Sequence, residues 1–201
     1  DEGVRAMLRE ARATGCFYVE SPAMRMLMRK LQVDDYLGLV AASSVIRPGV
    51  SRSGMMQAYI ERHRDPAKRA DAHPVLLHLM PETYGVMVYQ EDVIKVAHRF
   101  AGLDLGEADV LRRGMSGKFR SREEFDRARD AFHTKAVAKG HAPDLVREVW
   151  RQMESFAGYA FAKGHSASYA VESYQSLFLK VHFPIEYMCA CINNFGGFYR
   201  T

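Results

Sequence analysis

Cysteine is scarce and unpatterned: Cys16, Cys189 and Cys191 are the whole supply in 201 residues. Three thiols make no disulfide framework, and with the eight histidines they form no zinc-like spacing. They read as reduced cytosolic thiols, mostly buried, which sets the expected location as cytoplasmic. No apolar run reaches the roughly 18 residues of a membrane span, so no membrane partner is expected. The start, Asp1-Glu2-Gly3-Val4-Arg5, is polar and lacks a signal peptide's apolar region. Internal repeats and low-complexity tracts are absent as well. Neither sign of charge dominates: 28 Lys and Arg against 24 Asp and Glu leave a net +4. That balance is compatible with a polyanionic partner without requiring one.

What the chain does have is helical period. Hydrophobic residues make up 48% and charged residues 26%, the proportions of an ordinary globular protein. Val4, Met7, Leu8 and Ala11 recur as one helix face ending at Gly15. Ser21-Pro22 caps a helix with Met24, Leu27, Met28 and Leu31 inward. Asp34-Asp35 opens a helix that is apolar on nearly every side and therefore central, stopped by Arg47-Pro48-Gly49. A further helix runs through Met55, Met56, Tyr59 and Ile60 to the basic loop Arg62-His63-Arg64-Asp65-Pro66-Ala67-Lys68-Arg69. His73-Pro74 starts a short helix, and Gln90-Glu91-Asp92 supplies the acidic first turn of another.

Ser121 and Glu124 stand in capping-box relation and open a strongly charged helix to Lys139-Gly140, with Phe125, Ala128, Phe132 and Ala136 as a thin apolar stripe. Such a helix is expected to project from the body. Pro143 opens the next, with Trp150 in the core. Cys16–Glu20 and Thr83–Tyr89 read as short extended segments. The class is mainly α, with at least eight helices and one or two short extended pieces.

Two places concentrate cations beside glycines. In Leu105-Gly106-Glu107-Ala108-Asp109-Val110-Leu111-Arg112-Arg113-Gly114, Leu105, Ala108, Leu111 and Met115 form the inward face, leaving Arg112 and Arg113 to project about 100° apart. A guanidinium stays charged and offers a planar fork of donors, so the pair suits two oxygens of a polyphosphate. The same pair also suits a solvated helix C-terminus, where the dipole favours cations. In Lys163-Gly164-His165-Ser166, a lysine and a histidine begin a helix, and helix N-termini attract anions.

Several stretches closely resemble the fingers region of bacterial DNA polymerase III alpha subunits, the C-family replicative polymerases. They are Gly15-Cys16-Phe17-Tyr18-Val19-Glu20-Ser21-Pro22-Ala23-Met24, Arg47-Pro48-Gly49, Thr83–Glu91, Gly106–Arg113, and Phe156-Ala157-Gly158-Tyr159 followed by Lys163, His165 and Ser166. They occur in the family's order along nearly the whole chain. The resemblance implies a helical fingers domain that closes over the incoming deoxynucleoside triphosphate and the template base. It implies triphosphate binding by Arg112, Arg113, Lys163 and His165, and a cleft or DNA-proximal role for Arg47, Lys118 and Arg120. An N-terminal helical part is expected over 1–64 and the remaining fingers, with the triphosphate-facing helices, over 65–201. Both ends read as interior to a longer protein.

The family's chemistry requires carboxylates holding two Mg2+ ions, found in the palm as an Asp-x-Asp pair and a further aspartate. This chain contains no Asp-x-Asp, so it is expected to hold no metal itself and to be inactive alone. Expected partners are primer–template DNA, dNTP, the palm and thumb, and, through other regions, a sliding clamp and holoenzyme subunits. Two departures leave the main replicase and a specialised paralogue both open. Gly114–Arg120 replaces the family's common lysine run, and Val50 stands where a second proline is usual. Two other readings of the residues stay open: a non-catalytic nucleic-acid-binding module using Arg62, Arg64, Lys68, Arg69, Arg120 and Arg122, and a scaffold whose basic residues are only surface.

Overall fold

The computed structural model describes residues 1–46, 53–115, 117, 121–156 and 162–198. These residues form eleven α-helices, short 3-10 turns and one π-helical turn, with no strand among them. The chain divides into two compact units: Asp1–Ile46 with Lys163–Thr201, and Arg47–Ala162. The first is made by the two ends of the chain together. The 64/65 boundary drawn at the basic loop falls within the second.

The first unit contains α1 (Glu2–Arg9), α2 (Pro22–Leu31), α3 (Tyr36–Val45), α10 (Lys163–His182) and α11 (Pro184–Asn193). Local chemistry starts its first three helices. Asp1 accepts from the Val4 N–H at 2.9 Å, Ser21 from Met24 at 3.3 Å, and Asp35 from Gly38 at 2.7 Å, each satisfying a donor the helix leaves open. From Leu39 to Val45 every residue of α3 is buried, against α2 and α10. The face α10 turns inward is small: Ser166, Ala170, Ser173 and Leu177. Val171 and Phe178 lie outside that face, 44% and 41% exposed. Small residues win the inward face because α3 lies close. Ser44 and Ser166 share a buried hydrogen bond of 2.5 Å, and the Ser43 and Ser44 hydroxyls return to the Val40 carbonyl. A buried hydroxyl without such a partner would cost about 1–3 kcal/mol.

Cys16–Glu20 is a set of turns and not an extended piece. Val19 donates to the Phe17 carbonyl at 2.7 Å, with Tyr18 held at φ +63° between them. Long-range donors explain why the chain bends here. Lys180 reaches the Thr14 carbonyl, Tyr187 the Gly15 carbonyl at 2.8 Å, and Ser173 the Phe17 carbonyl at 2.9 Å. Glu20, 5% exposed, accepts from the N–H groups of Gly15 and Phe198 at 2.7 and 2.5 Å. Of the cysteines only Cys16 is buried; Cys189 is exposed and Cys191 half-buried, because α11 buries no residue.

The second unit contains α4 (Met55–Arg64), α5 (Pro74–Leu79), α6 (Gln90–Lys95) continued by a π turn (Val96–Phe100), α7 (Leu105–Met115), α8 (Arg122–Ala138) and α9 (Pro143–Glu154). Phe100, Leu103, Leu111, Phe132, Met153 and Phe156 are fully buried. Phe100 stacks on His141 at 4.1 Å between centroids, and Phe132 lies 5.3 Å from Trp150, whose indole donates to Glu154 at 2.8 Å. Helix α8 does not project. Its stripe of Ala128, Phe132 and Ala136 packs on α7 and α9, and its charged faces, with Val137, meet solvent.

Thr83–Tyr89 is likewise no strand. Thr83 ends a 3-10 turn, Tyr84 and Gly85 take φ of +55° and +76°, and the buried Val88 and Tyr89 N–H groups both donate to Asp92, at 3.0 and 2.9 Å. One carboxylate thus takes the donors a strand ladder would use.

Candidate triphosphate-facing turns

Helix α7 opens with a reciprocal cap: Asp104 accepts from the Glu107 N–H at 2.8 Å, and Glu107 accepts from the Asp104 N–H at 2.9 Å. Leu105 sits just inside this cap and is 63% exposed, outside the inward face expected for it. Ala108, Leu111, Gly114 and Met115 form the buried face instead. Two contacts hold α8 to this helix. Lys135 bonds both oxygens of Glu107, at 2.9 and 2.6 Å. Gly114 lies so near the Phe125 ring that an added Cβ would fall 2.1 Å from it.

On this base stand Arg112 and Arg113, with side chains 26% and 31% exposed. Both reach back to Asp109, one turn earlier. Arg112 places Nε 2.9 Å and Nη2 2.7 Å from Oδ1, and Arg113 places Nε 3.0 Å from Oδ2. Arg112 Nη1 also donates to Gln90, in the first turn of α6, at 3.3 Å. The structure therefore brings the tandem arginines together on one carboxylate. Asp109 and Gln90 escaped the reading of the cations, although the spacings from Asp109 to Arg112 and Arg113, three and four residues, are those of facing side chains on a helix.

Lys163 and His165 share the first turn of α10, in the other unit; Lys163 is half-buried and His165 exposed. The turn is fixed from beneath, by Ser166 on Ser44 and by the Tyr36 hydroxyl, which donates to the Ala167 carbonyl at 2.8 Å. A 20-residue helix begins here, and its dipole gives the turn a partial positive charge. Arg47, Lys118 and Arg120 lie outside the described residues.

Other cations belong to the fold. Arg62 donates to the Tyr84 carbonyl at 3.0 Å, Arg69 donates to the Arg62 carbonyl at 3.0 Å and stacks 4.4 Å above the Tyr84 ring, and Lys68 pairs with Asp71 at 3.9 Å. A cavity of about 760 Å3 in the first unit is lined by Cys16, Phe17, Tyr18, Glu20, Met24 and Tyr187 among others, with no lysine, arginine or histidine among the described lining residues. Among the described residues no three His, Cys, Asp or Glu side chains are placed to hold a metal ion, and no helix is long and apolar enough to cross a membrane.

The class defined by these features is an all-helical module with cations grouped at helix ends. The chain belongs to a known family: residues 1–140 match the bacterial DNA polymerase III alpha subunit finger domain. It is similar to the DNA polymerase III subunit alpha of Pasteurella multocida (strain Pm70), 39% identical over 193 residues covering 94% of this chain and 16% of that protein. The subunit of the same name from Aquifex aeolicus (strain VF5) is 36% identical, covering 93% of this chain and 16% of that protein. That of Escherichia coli (strain K12) is 38% identical, covering 92% and 16%. The chain thus spans about 16% of the length of these relatives.

Proposed function

We propose that the chain serves as the fingers module of a DNA-directed DNA polymerase, binding the triphosphate of the incoming dNTP and primer–template DNA during replication. The observation that carries this reading is the pair Arg112 and Arg113, the first hydrogen-bonded to Asp109 and the second ion-paired with it, at the end of a helix in a chain of the finger-domain family. Nucleotidyl transfer moves the α-phosphorus from pyrophosphate to the primer 3′-oxygen, and negative charge gathers on the β- and γ-phosphates as the bond breaks. Fixed guanidinium groups at those oxygens hold the bound triphosphate and go on neutralising its charge as the bond breaks. In the other unit, Lys163, with His165 when protonated, gives the first turn of α10 a positive potential of its own, the second position in this reading where phosphate would be held.

This reading needs carboxylates for a Mg2+ pair, and no such group stands among the described residues. In the reading proposed here they belong to a palm elsewhere in the full-length protein, with a thumb, and clamp and holoenzyme contacts also lying outside the chain. A non-catalytic nucleic-acid-binding module is the less supported reading, because Arg62 and Arg69 are used within the fold.

The test is steady-state primer extension by the full-length polymerase carrying Arg112→Ala or Arg113→Ala. Loss of a charge-assisted contact worth about 1.5–3 kcal/mol lowers kcat/KM for dNTP roughly 10- to 150-fold. An unchanged kcat/KM removes both residues from the role.

A further inference from the structure

We propose that Asp109 is a positioning residue for the triphosphate site, a single carboxylate that aligns both guanidinium groups before nucleotide arrives, with Gln90 holding Arg112 from the side. The inference rests on the reading of Arg112 and Arg113 given above. Its ground is the division of labour at Asp109. One oxygen lies 2.9 and 2.7 Å from Nε and Nη2 of Arg112, with Nε hydrogen-bonded to it; the other holds Arg113 through charge alone, its Nε 3.0 Å away without a hydrogen bond; and Gln90 of α6 accepts from Arg112 Nη1 at 3.3 Å. An ordinary surface pair joins one cation to one anion on a single helix. Here two cations share one anion, a second helix joins them, and no side chain of the three is more than 38% exposed. The base is rigid too, since Gly114, next in the chain, lies directly under the Phe125 ring. Arginine loses much rotamer freedom when it is fixed, so a clamp that has already fixed it lowers the entropy lost on binding.

The sign of the effect decides the matter. Asp109 carries negative charge beside a site for a polyanion, so electrostatics alone says that its removal tightens nucleotide binding. Alignment says the reverse. The experiment compares the full-length polymerase with its Asp109→Asn and Asp109→Glu variants in extension of a primer–template by one dNTP.

The expected result for Asp109→Asn is a KM for dNTP raised by about tenfold, with kcat changed far less, and substantial recovery in Asp109→Glu, which keeps the carboxylate on a longer arm. An unchanged or lowered KM in Asp109→Asn overturns the proposal. Should that variant also melt earlier, adding it to Arg112→Ala/Arg113→Ala keeps the test decisive. A clamp acting through the arginines adds little further increase in KM, whereas a general folding defect adds its full effect and overturns the proposal. If Arg112→Ala/Arg113→Ala itself leaves kcat/KM unchanged, the triphosphate reading fails. If it does not, and Asp109→Asn is silent, the clamp alone fails.

Discussion

The two cationic turns sit at opposite ends of their helices, and they are held in opposite ways. Arg112 and Arg113 stand at the C-terminal end of α7, where the dipole already favours cations, and side chains hold them: Asp109 on their own helix and Gln90 on α6. Lys163 and His165 stand at the N-terminal end of α10, where the dipole opposes a cation and attracts an anion. There the backbone is what is held, by the Ser44–Ser166 pair and the Tyr36 hydroxyl. The first arrangement aligns charges, and the second places a turn. The sensitivity of the two turns to mutation should differ accordingly.

The largest effect on folding is expected where the arginine turn meets α8. Gly114→Leu forces side-chain atoms into the space of the Phe125 ring, since even a Cβ would lie 2.1 Å from it. Overpacking of this kind costs about 1–3 kcal/mol, or a fall of roughly 2–4 °C in Tm per kcal/mol for a domain of this size. Calorimetry checks the fall, and kcat/KM for dNTP should drop with it. An unshifted Tm means that Phe125 swings away freely and that α8 does not brace the turn.

On the α10 side the effect is smaller and has a distinctive pattern. Ser166→Ala removes one of the two hydrogen bonds of the Ser44 hydroxyl, leaving that to the Val40 carbonyl, and costs about 1 kcal/mol, whereas Ser44→Ala/Ser166→Ala together cost less than the sum of the two single changes. Urea midpoints of the three variants check this. Strict additivity would remove the serine pair as the element that places Lys163 and His165.

The weakest lever is pH, acting through the cap that starts α6 and so carries Gln90. Burial pushes the Asp92 carboxyl above its ordinary 3.8, against the Tyr89 and Val88 N–H groups and Lys95, which pull it down. A raised acid holds its proton in the folded state at a pH where the unfolded chain has released it. Its contribution is therefore present below about pH 3.8 and is lost as pH rises through the folded value. Stability of Asp92→Asn, followed between pH 4 and 7, should show a flatter decline than that of the parent protein. Parallel slopes would acquit Asp92.

What could be read from residues alone was what neighbours in sequence decide. Ser21 before Pro22, Asp35 before Tyr36, Ser121 before Glu124 and His73 before Pro74 all start helices as expected, because each cap is closed within a few residues. The helix of the tandem arginines starts for the same reason, at Asp104 and Glu107, whereas the Lys163–His165 turn is held by the distant Ser44 and Tyr36. The bend at Tyr18 was not legible, since its carbonyl partners come from Ser173, Lys180 and Tyr187, more than 150 positions away. Nor was the serine seam of α10, because hydropathy ranks serine as outward whatever faces it. Thr83–Tyr89 has strand composition, yet Asp92, a residue beyond that window, takes its donors.

The central claim, that the arginine turn meets the triphosphate, is tested most directly by the single-turnover Kd for an incoming dNTP with full-length polymerase on a primer–template. Parent and Arg113→Ala enzymes should be compared at one salt concentration. The account predicts binding weaker by about tenfold or more in the variant, with the affinity for primer–template itself unchanged. Equal dNTP affinity in the two enzymes, or a loss confined to DNA binding, would contradict it.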